Sequence, residues 1–131
     1  MDIIHFDGAC DRNPGCSAFG FSHSKLDTEV HFECGFIGEN YTNNYAEYSA
    51  LLKALLYCKF ANVNNPVIKG DSALVVNQVN GQWKVKCANL KDINTQCRKL
   101  MREVEANLVW IPREENIRAD YLSKLPLNHR M

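Results

Sequence analysis

The chain has 131 residues, of which 46% are hydrophobic, so it is long enough to bury one core without disulfide bonds. Its 15 basic and 15 acidic residues give a net charge of zero, which excludes a general long-range attraction to nucleic acid or to a membrane surface. We therefore expect a single domain over residues 1–131, in which any site for a polyanion depends on a local group of charges.

The six cysteines and four histidines lack the paired spacing of a zinc site or of a secreted disulfide framework. We expect most of the cysteines to be small buried residues. The first residues show no basic leader followed by an apolar run, and no window has the roughly 20 apolar residues of a membrane span. These patterns predict a soluble, cytoplasmic protein without membrane contacts, which we expect to be a monomer.

The first 40 or so residues predict three strands. Residues 3–6 form a short apolar run that ends at Asp7, as in a strand in the middle of a sheet. Residues 17–26 and 29–37 are rich in aromatic and branched side chains, so they predict a hairpin that turns at 27–28.

The rest of the chain predicts helices that alternate with short strands. Residues 42–60 are rich in Ala and Leu and contain neither Gly nor Pro, which favours a helix of about five turns. Ser72 is placed to cap a second helix, and Pro112 stops the last strand. Further helices are predicted over 72–80, 90–104 and 114–125, and strands over 66–70 and 108–111. This order of elements indicates an α/β domain with a mixed sheet.

Four acidic residues are candidates for a shared site. Asp7 and Asp71 follow apolar strands that should be adjacent and parallel, while Glu47 and Asp120 lie on predicted helices. Each residue alone is better explained as a cap, a turn residue or part of a solvated face. Carboxylates gathered at the end of a buried sheet, however, require a cation, and oxygen ligands favour Mg²⁺ or Mn²⁺. Such a site predicts phosphoryl chemistry with paired metal ions.

Four strings, in this order, resemble the motifs of the type I ribonuclease H family. They are DGACDRNPG at 7–15, TNNYAE at 42–47, GDS at 70–72 and WIPREENIRAD at 110–120. The resemblance spans nearly the whole chain and implies a ribonuclease H-like fold, with a five-stranded mixed sheet of order 3-2-1-4-5 and helices on both faces. It also implies an endonuclease that hydrolyses the RNA strand of RNA–DNA hybrids and leaves 5′-phosphate and 3′-hydroxyl ends.

The resemblance implies that four carboxylates are both metal ligands and catalytic residues. Asp7 would bridge two Mg²⁺ ions, Glu47 and Asp71 would complete the site of the ion facing the leaving group, and Asp120 would help hold the ion that activates water. Many relatives also carry a histidine in a loop before the last aspartate. The segment 110–120 has no histidine and resembles the shorter loop of bacterial and archaeal members, so we expect a histidine-independent reaction.

Substrate contacts are implied at two places in the sequence. Asn13, Asn43 and Asn44 match family positions that touch the minor groove of the hybrid, where the 2′-hydroxyl distinguishes RNA from DNA. Thr42 matches a position that holds a phosphate of the DNA strand. Turn and capping chemistry explains these residues equally well, and Asn43 in particular could cap the long helix.

The one markedly basic stretch begins with Trp83, Lys84 and Lys86. In many relatives a longer basic segment grips the DNA strand, and this stretch resembles a short substitute for it. The alternative is an ordinary solvated helix face with Trp83 packed underneath. A grip of this kind should be weak and sensitive to salt.

Two other functions remain compatible with the sequence. One is a non-catalytic module of the same fold that binds hybrid or structured RNA, although all four carboxylates are present. The other is a related nuclease with another substrate, such as double-stranded RNA. The asparagines favour the hybrid, but a fold alone does not fix a function.

Overall fold

The computed structural model describes residues 1–128, in which one mixed sheet of five strands is covered by four α-helices. In chain order the elements are β1 (Asp2–Cys10), β2 (Gly15–Lys25), β3 (Thr28–Tyr41), α1 (Asn43–Phe60), β4 (Val67–Gly70), α2 (Ala73–Val79), α3 (Ala88–Glu103), β5 (Asn107–Trp110), a 3₁₀ helix (Arg113–Glu115) and α4 (Ile117–Asn128). None of the described helices is both long and apolar enough to span a membrane.

The sheet has the strand order β3-β2-β1-β4-β5, which confirms the order that the resemblance implied. The central strand, β1, pairs antiparallel with β2 and parallel with β4, and β5 continues the parallel half. The carboxyl ends of β1, β4 and β5 therefore meet at one edge of the sheet, where α/β proteins usually place their sites.

Helices cover both faces of the sheet, as predicted. Adjacent residues of a strand point to opposite faces, so Gly8 and Asp7 in β1 face different helices. Gly8 meets the main chain of Ala46 in α1, whereas Gly20, the partner of Asp7 in β2, meets Ser123 in α4. A Cβ at either glycine would come within 2.3 to 2.8 Å of helix atoms, so both helices approach the sheet closely only because these positions are glycine.

The hydrophobic core lies mainly on the α1 face. Ile4 and Phe6 of β1 and Leu51 and Leu55 of α1 are fully buried. Because α1 contacts β1 on one side and α3 on the other, its buried residues are spread around the helix instead of forming one stripe. Burial of each large apolar side chain contributes about 1.5–3 kcal/mol, so this layer is a main source of stability.

Three predicted boundaries in the hairpin region were wrong. β1 continues to Cys10 instead of ending at Asp7, because β2 still pairs with it after β4 has diverged. The hairpin turns at Leu26 and Asp27, whose φ values of 49° and 64° suit a two-residue turn, and not at 27–28. β3 continues to Tyr41, since its pairing with β2 resumes beyond a bulge.

The closing helix and the cysteines also differ from prediction. The segment predicted to begin the helix at 114 forms the 3₁₀ helix, Asn116 interrupts it, and α4 then runs through Pro126 to its end. Only Cys58 and Cys97 are buried, so the prediction that most cysteines are buried was wrong. The other four lie where the chain is partly or fully open to solvent: Cys10, Cys16, Cys34 and Cys87.

Candidate metal and nucleic acid site

The register of the sheet brings Asp7 and Asp71 to the same level. The parallel ladder between β1 and β4 pairs His5 with Lys69. Asp7 lies two residues beyond His5 in β1, and Asp71 lies two residues beyond Lys69, directly after the end of β4. A step of two residues keeps both side chains on the face of their strand partners. The two carboxylates therefore lie together, as the sequence predicted.

Glu47 joins these aspartates from α1. Thr42 caps this helix, since its Oγ1 accepts a hydrogen bond from the Tyr45 N–H at 3.1 Å. Asn43 is the first helical residue, so the interpretation of Asn43 as the cap was wrong. The Gly8 N–H donates to Glu47 Oε1 at 2.7 Å. One carboxylate oxygen from each of Asp7, Glu47 and Asp71 lies within 4.8 Å of the other two.

Asp120 reaches the same place from the opposite face of the sheet. It lies in the first turn of α4, where the helix dipole favours a negative charge. Its Oδ2 atom is 3.2 Å from the Nζ atom of Lys124, one turn further along. Asp120 lies outside the three-carboxylate cluster found among residues 1–128, but it lines the same cavity.

This acidic cavity has a volume of about 370 Å³. Its lining residues come from β1, α1, α4 and the segments that follow β4 and β5: Asp7, Gly8, Ala9, Cys10, Asn43, Glu47, Asp71, Arg113, Asp120 and Lys124. The four carboxylates that the sequence singled out thus share one cavity, although they are up to 113 positions apart in the chain.

The electrostatics of the acidic cavity favour a bound cation. Burial raises the pKa of Asp7 to about 7, and the negative charges of Asp71 and Asp120 add to the rise. Burial, followed by the charge of Asp7, raises the pKa of Glu47 well above its usual value. A divalent cation would displace the protons that these values imply. A donor set made of carboxylate oxygens fits Mg²⁺ or Mn²⁺.

A second cavity, of about 400 Å³, shares Asn43 with the acidic cavity. We name it the amide cavity, because half of its lining residues are Asn or Gln. The lining residues are Asn13, Thr42, Asn43, Asn44, Leu74, Gln78, Lys86, Cys87, Asn89 and Leu90. The Oδ1 atom of Asn13 accepts a hydrogen bond from the Asn43 N–H at 3.0 Å, which holds the loop after β1 against the start of α1. This cavity brings together all four predicted substrate contacts of the first half of the chain and Lys86.

Comparisons with known proteins agree with this geometry. A family model described as reverse transcriptase-like matches residues 5–125. The ribonuclease HI of Halobacterium salinarum is 33% identical over 125 residues, which cover 95% of this chain. The crystal structure of RNase H1 from the same organism matches with a TM-score of 0.92 and 32% identity, over 97% of both chains. This chain belongs to the type I ribonuclease H family.

Two further relatives are similar to this chain over most of its length, although the curated relatives are longer than the chain. The structure of LC11-RNase H1 in complex with an RNA/DNA hybrid matches with a TM-score of 0.90 and 32% identity, over 98% of this chain and 97% of the other. A bifunctional protein of Mycobacterium tuberculosis is 32% identical over 127 residues, which cover 92% of this chain. The chain spans 63% of the curated Halobacterium salinarum relative and 34% of the mycobacterial one.

Two residues expected to contact substrate in this ribonuclease H family chain lie outside both cavities. Trp83 and Lys84 are exposed in the connection between α2 and α3. The alternative in which Trp83 packs under a helix face was wrong, because its side chain is 50% exposed. Hydrogen bonds from the Trp83 N–H to the Asn77 carbonyl oxygen, and from Gln78 Nε2 to that of Lys84, hold the connection in place.

The structure adds three polar residues that the sequence analysis missed: Arg113, Asn116 and Lys124. Arg113 and Lys124 line the acidic cavity, and Asn116 is buried behind Asp71. The four-residue spacing of Asp120 and Lys124 on a helix was the one local signal for such a contact. Arg113 and Asn116 lie in the motif at 110–120, but their positions relative to the carboxylates depend on how the segment after β5 folds back onto β1, which local periodicity does not encode.

None of the histidines among residues 1–128, which are His5, His23 and His31, lies in the acidic cavity, so none of them takes the place of a loop histidine there. His5 lies two residues before Asp7, and its pKa is lowered by burial and by the nearby charge of Lys69. His129 lies outside the described residues.

Proposed function

We propose that this chain is an endonuclease that hydrolyses the RNA strand of RNA–DNA hybrids, as a single domain over residues 1–131. Cleavage would leave 5′-phosphate and 3′-hydroxyl ends. The observation that carries the proposal is the cluster of three carboxylate oxygens within 4.8 Å, from Asp7, Glu47 and Asp71. Like charges buried together destabilise a protein unless a cation binds them, so fold stability does not account for the cluster.

Two Mg²⁺ ions are the proposed cofactor, with Mn²⁺ as the second candidate. Asp7, the most buried of the four carboxylates, would contact both ions, Glu47 and Asp71 would contact one, and Asp120 would contact the other. When bound, the ions supply Lewis acidity, which favours attack by water on the phosphodiester and stabilises the leaving oxygen.

The acidic cavity also offers positive charge for a substrate phosphate. Arg113 lies on its wall, and Lys124 reaches it while paired with Asp120. A guanidinium and an ammonium both form charge-assisted hydrogen bonds with phosphate oxygens. We propose that these two residues hold the phosphate next to the carboxylates. The nucleophile of the hydrolysis would be water and not a side chain.

The amide cavity is the proposed site of hybrid recognition. Asn13, Asn43 and Asn44 offer short amides, which suit hydrogen bonds in the wide, shallow minor groove of an A-like duplex. Asn43 lines both cavities, so a duplex that spans them would present its minor groove to these amides. The solved complex of LC11-RNase H1, 32% identical, contains an RNA/DNA hybrid, which supports this choice of substrate.

The DNA strand is proposed to contact Thr42 and Lys86 in the amide cavity. The Thr42 hydroxyl accepts a hydrogen bond from Tyr45 and keeps its own hydrogen free to donate to a phosphate. Lys86 lines the same cavity and adds a positive charge. Trp83 and Lys84, on the exposed connection before it, would extend this contact along the strand.

The deciding experiment is a cleavage assay on end-labelled hybrid, double-stranded DNA, single-stranded RNA and double-stranded RNA. Each substrate is incubated with Mg²⁺, Mn²⁺ or EDTA, and Asp7→Asn is the matched control. We expect cleavage of the RNA strand of the hybrid with either metal and none with EDTA. Binding without cleavage would instead identify a non-catalytic module, and preferred cleavage of double-stranded RNA would identify a different substrate.

The cytoplasmic location and the monomeric state stay predictions from the sequence.

A further inference from the structure

We propose that Asn116 is a positioning residue, which holds the Asp71 carboxylate and the main chain of β1 in the arrangement that binds metal ions. This proposal rests on the proposed function, because it assumes that the carboxylates bind the metal ions of that reaction. Its first test is metal binding by the protein alone, so its outcome is separate from that of the cleavage assay.

Asn116 lies at the junction between the 3₁₀ helix and α4, with φ −113° and ψ 35°. This non-helical conformation interrupts the helix and turns the side chain inward, where it is 1% exposed. Its Nδ2 atom donates two hydrogen bonds of 2.9 Å each, to the Phe6 carbonyl oxygen and to Asp71 Oδ2. One amide therefore ties the segment before α4 to the main chain of β1 and to the side chain of Asp71, the residue that follows β4.

The amide bridges the strands at the point where their main-chain pairing stops. The ladder between β1 and β4 ends at His5 and Lys69, and Phe6 is the next residue of β1. Beyond this point the strands have no ladder to keep Asp7 and Asp71 at a fixed separation. The two hydrogen bonds of Asn116 join the β1 main chain at Phe6, one residue before Asp7, to the Asp71 carboxylate, and so fix the separation of the two aspartates.

The orientation of the amide is dictated by its partners. The Phe6 carbonyl oxygen can only accept a hydrogen bond, and Asp71 Oδ2 is the acceptor of the second bond, so the nitrogen faces both of them. The Oδ1 atom then points the other way, and it has no hydrogen-bond partner among the described residues although it is buried. An unpaired buried oxygen destabilises a fold, whereas an apolar side chain of the same size would fill the space without this penalty. The two donated bonds, and not packing, therefore explain an asparagine here.

The bond to Asp71 Oδ2 restricts rotation of that carboxylate. Because the second bond goes to main chain, the amide itself cannot turn with the carboxylate. A carboxylate held in place before the ion arrives loses less conformational freedom on binding, and loss of such a supporting hydrogen bond typically weakens metal affinity about 10–100-fold. Asn116 is itself too buried to touch a nucleic acid, so its effect should be on metal affinity and not on substrate affinity.

The test is Asn116→Leu, which keeps the volume and removes both donors. Binding of Mn²⁺ to the protein without substrate is measured from the electron paramagnetic resonance signal of the free ion. We expect affinity about 10–100-fold weaker than in the wild type. The matched control is Asn94→Leu, because Asn94 is also buried and also donates from Nδ2, but to the Tyr48 hydroxyl oxygen at 3.0 Å and not to a carboxylate. This control should keep the wild-type Mn²⁺ affinity.

A cleavage assay adds a second readout. In Asn116→Leu the Mg²⁺ concentration for half-maximal turnover should rise by the same factor, while KM for hybrid at saturating Mg²⁺ stays within about twofold. The proposal is overturned if folded Asn116→Leu binds Mn²⁺ within twofold of the wild type, or if Asn94→Leu loses as much affinity. Asn116→Ser is measured by the same criterion if the leucine variant does not fold. If neither variant folds in EDTA, Asn116 is a structural residue and the proposal also fails.

Discussion

Two polar clusters lie towards opposite ends of β1, and they are built in opposite ways. In the first, His23 Nε2 is 2.7 Å from Asp2 Oδ1, and His23 Nδ1 is 2.7 Å from the Tyr57 hydroxyl oxygen. With its proton on Nε2, the imidazole donates to Asp2 and accepts from Tyr57, so each group has a complementary partner. In the second, Asp7 meets two further carboxylates.

The pKa values of the two aspartates on this strand move in opposite directions. The hydrogen bond from His23 is the main cause that lowers the pKa of Asp2. Burial and like charges raise the pKa of Asp7 to about 7. The first cluster stabilises the fold through complementary pairs. The second leaves negative charges near one another, so its arrangement is explained not by fold stability but by the cations that we propose it binds.

The largest effect that this comparison predicts is on catalysis. We expect Asp7→Asn to reduce hybrid cleavage at least about 1000-fold, equivalent to about 4 kcal/mol of activation free energy, because a proposed ligand of both ions is lost. Turnover is measured at saturating Mg²⁺, and circular dichroism checks that the variant is folded. A folded variant that keeps more than a few per cent of wild-type turnover would contradict the role given to Asp7.

In the other cluster the same kind of change should affect stability instead. We expect His23→Phe to lower the free energy of unfolding by about 1–3 kcal/mol, because Asp2 and the Tyr57 hydroxyl lose their partner. Urea unfolding measures this, with Tyr57→Phe as the second arm of a double-mutant cycle. Additive losses in the two variants would show that His23 and Tyr57 do not interact as described.

Turnover should not depend on His23, nor on any other histidine. Substitutions of His5, His23, His31 and His129 that preserve folding should each leave turnover within about tenfold, or about 1.4 kcal/mol. A hundredfold loss in folded His129→Ala would show that the C-terminal residues supply the group that the loop histidine provides in relatives.

A smaller effect, on KM for hybrid, is expected for the exposed lysines before α3 than for the buried carboxylates. We expect the double change Lys84→Glu and Lys86→Glu to raise KM for hybrid about tenfold, or about 1.4 kcal/mol, with less effect on kcat. Lys86→Glu alone should account for most of the rise, because only Lys86 lines the amide cavity. KM is measured between 50 and 200 mM salt, where the wild type should be the more salt-sensitive protein. Equal effects of the two single changes would place the contact on the exposed connection.

The smallest effect concerns how the free energy of unfolding varies with pH when EDTA removes metal ions. The pKa of Asp7 is raised from 3.8 to about 7, so the folded state holds more protons than the unfolded state between these values. Its stability should therefore fall as pH rises through that window. At pH 8 we expect Asp7→Asn to be more stable than the wild type by at least about 1 kcal/mol, or about 3–5 °C in Tm.

The matched variant in this comparison is Asp2→Asn. The pKa of Asp2 is lowered, so its contribution is present above its unfolded pKa and is lost as pH falls through its folded pKa. Calorimetry of the three proteins from pH 3 to 8 should thus show a loss at pH 8 for Asp2→Asn and a gain for Asp7→Asn. A Tm of Asp7→Asn at or below that of the wild type at pH 8 would show that the carboxylates do not repel one another.

Elements that depend on local chemistry were predictable from the sequence. The absence of Gly and Pro over 42–60 predicted the bounds of α1 to within one residue, and Ser72 caps α2 as expected. The strand order came from the resemblance and not from periodicity. The four carboxylates could be found because each lies in a motif, and because equal offsets from the β1–β4 ladder bring Asp7 and Asp71 together.

The remaining features depend on contacts that are distant in the sequence. β1 continues beyond Asp7 only because β2 runs beside it, and the turn at Leu26 requires a positive φ that a leucine rarely adopts. Asn116 lies 110 positions from its partner Phe6, so no window of sequence joins the two. Lys86 and Lys84 have the same local pattern, yet one lines a cavity and the other does not.

The placement of Cys87 gives the protein a native chemical label. This cysteine is exposed at the start of α3 and lines the amide cavity. Burial raises the pKa of the Cys58 and Cys97 thiols to about 12, so both are almost entirely protonated at neutral pH, and protonated thiols react poorly with alkylating dyes. Among residues 1–128, Cys87 is the one fully exposed cysteine, so a limiting amount of maleimide fluorophore should react first at the amide cavity, ahead of the partly exposed Cys10, Cys16 and Cys34 and of the buried pair. Protection of this thiol would report when the cavity is occupied, with no engineered cysteine.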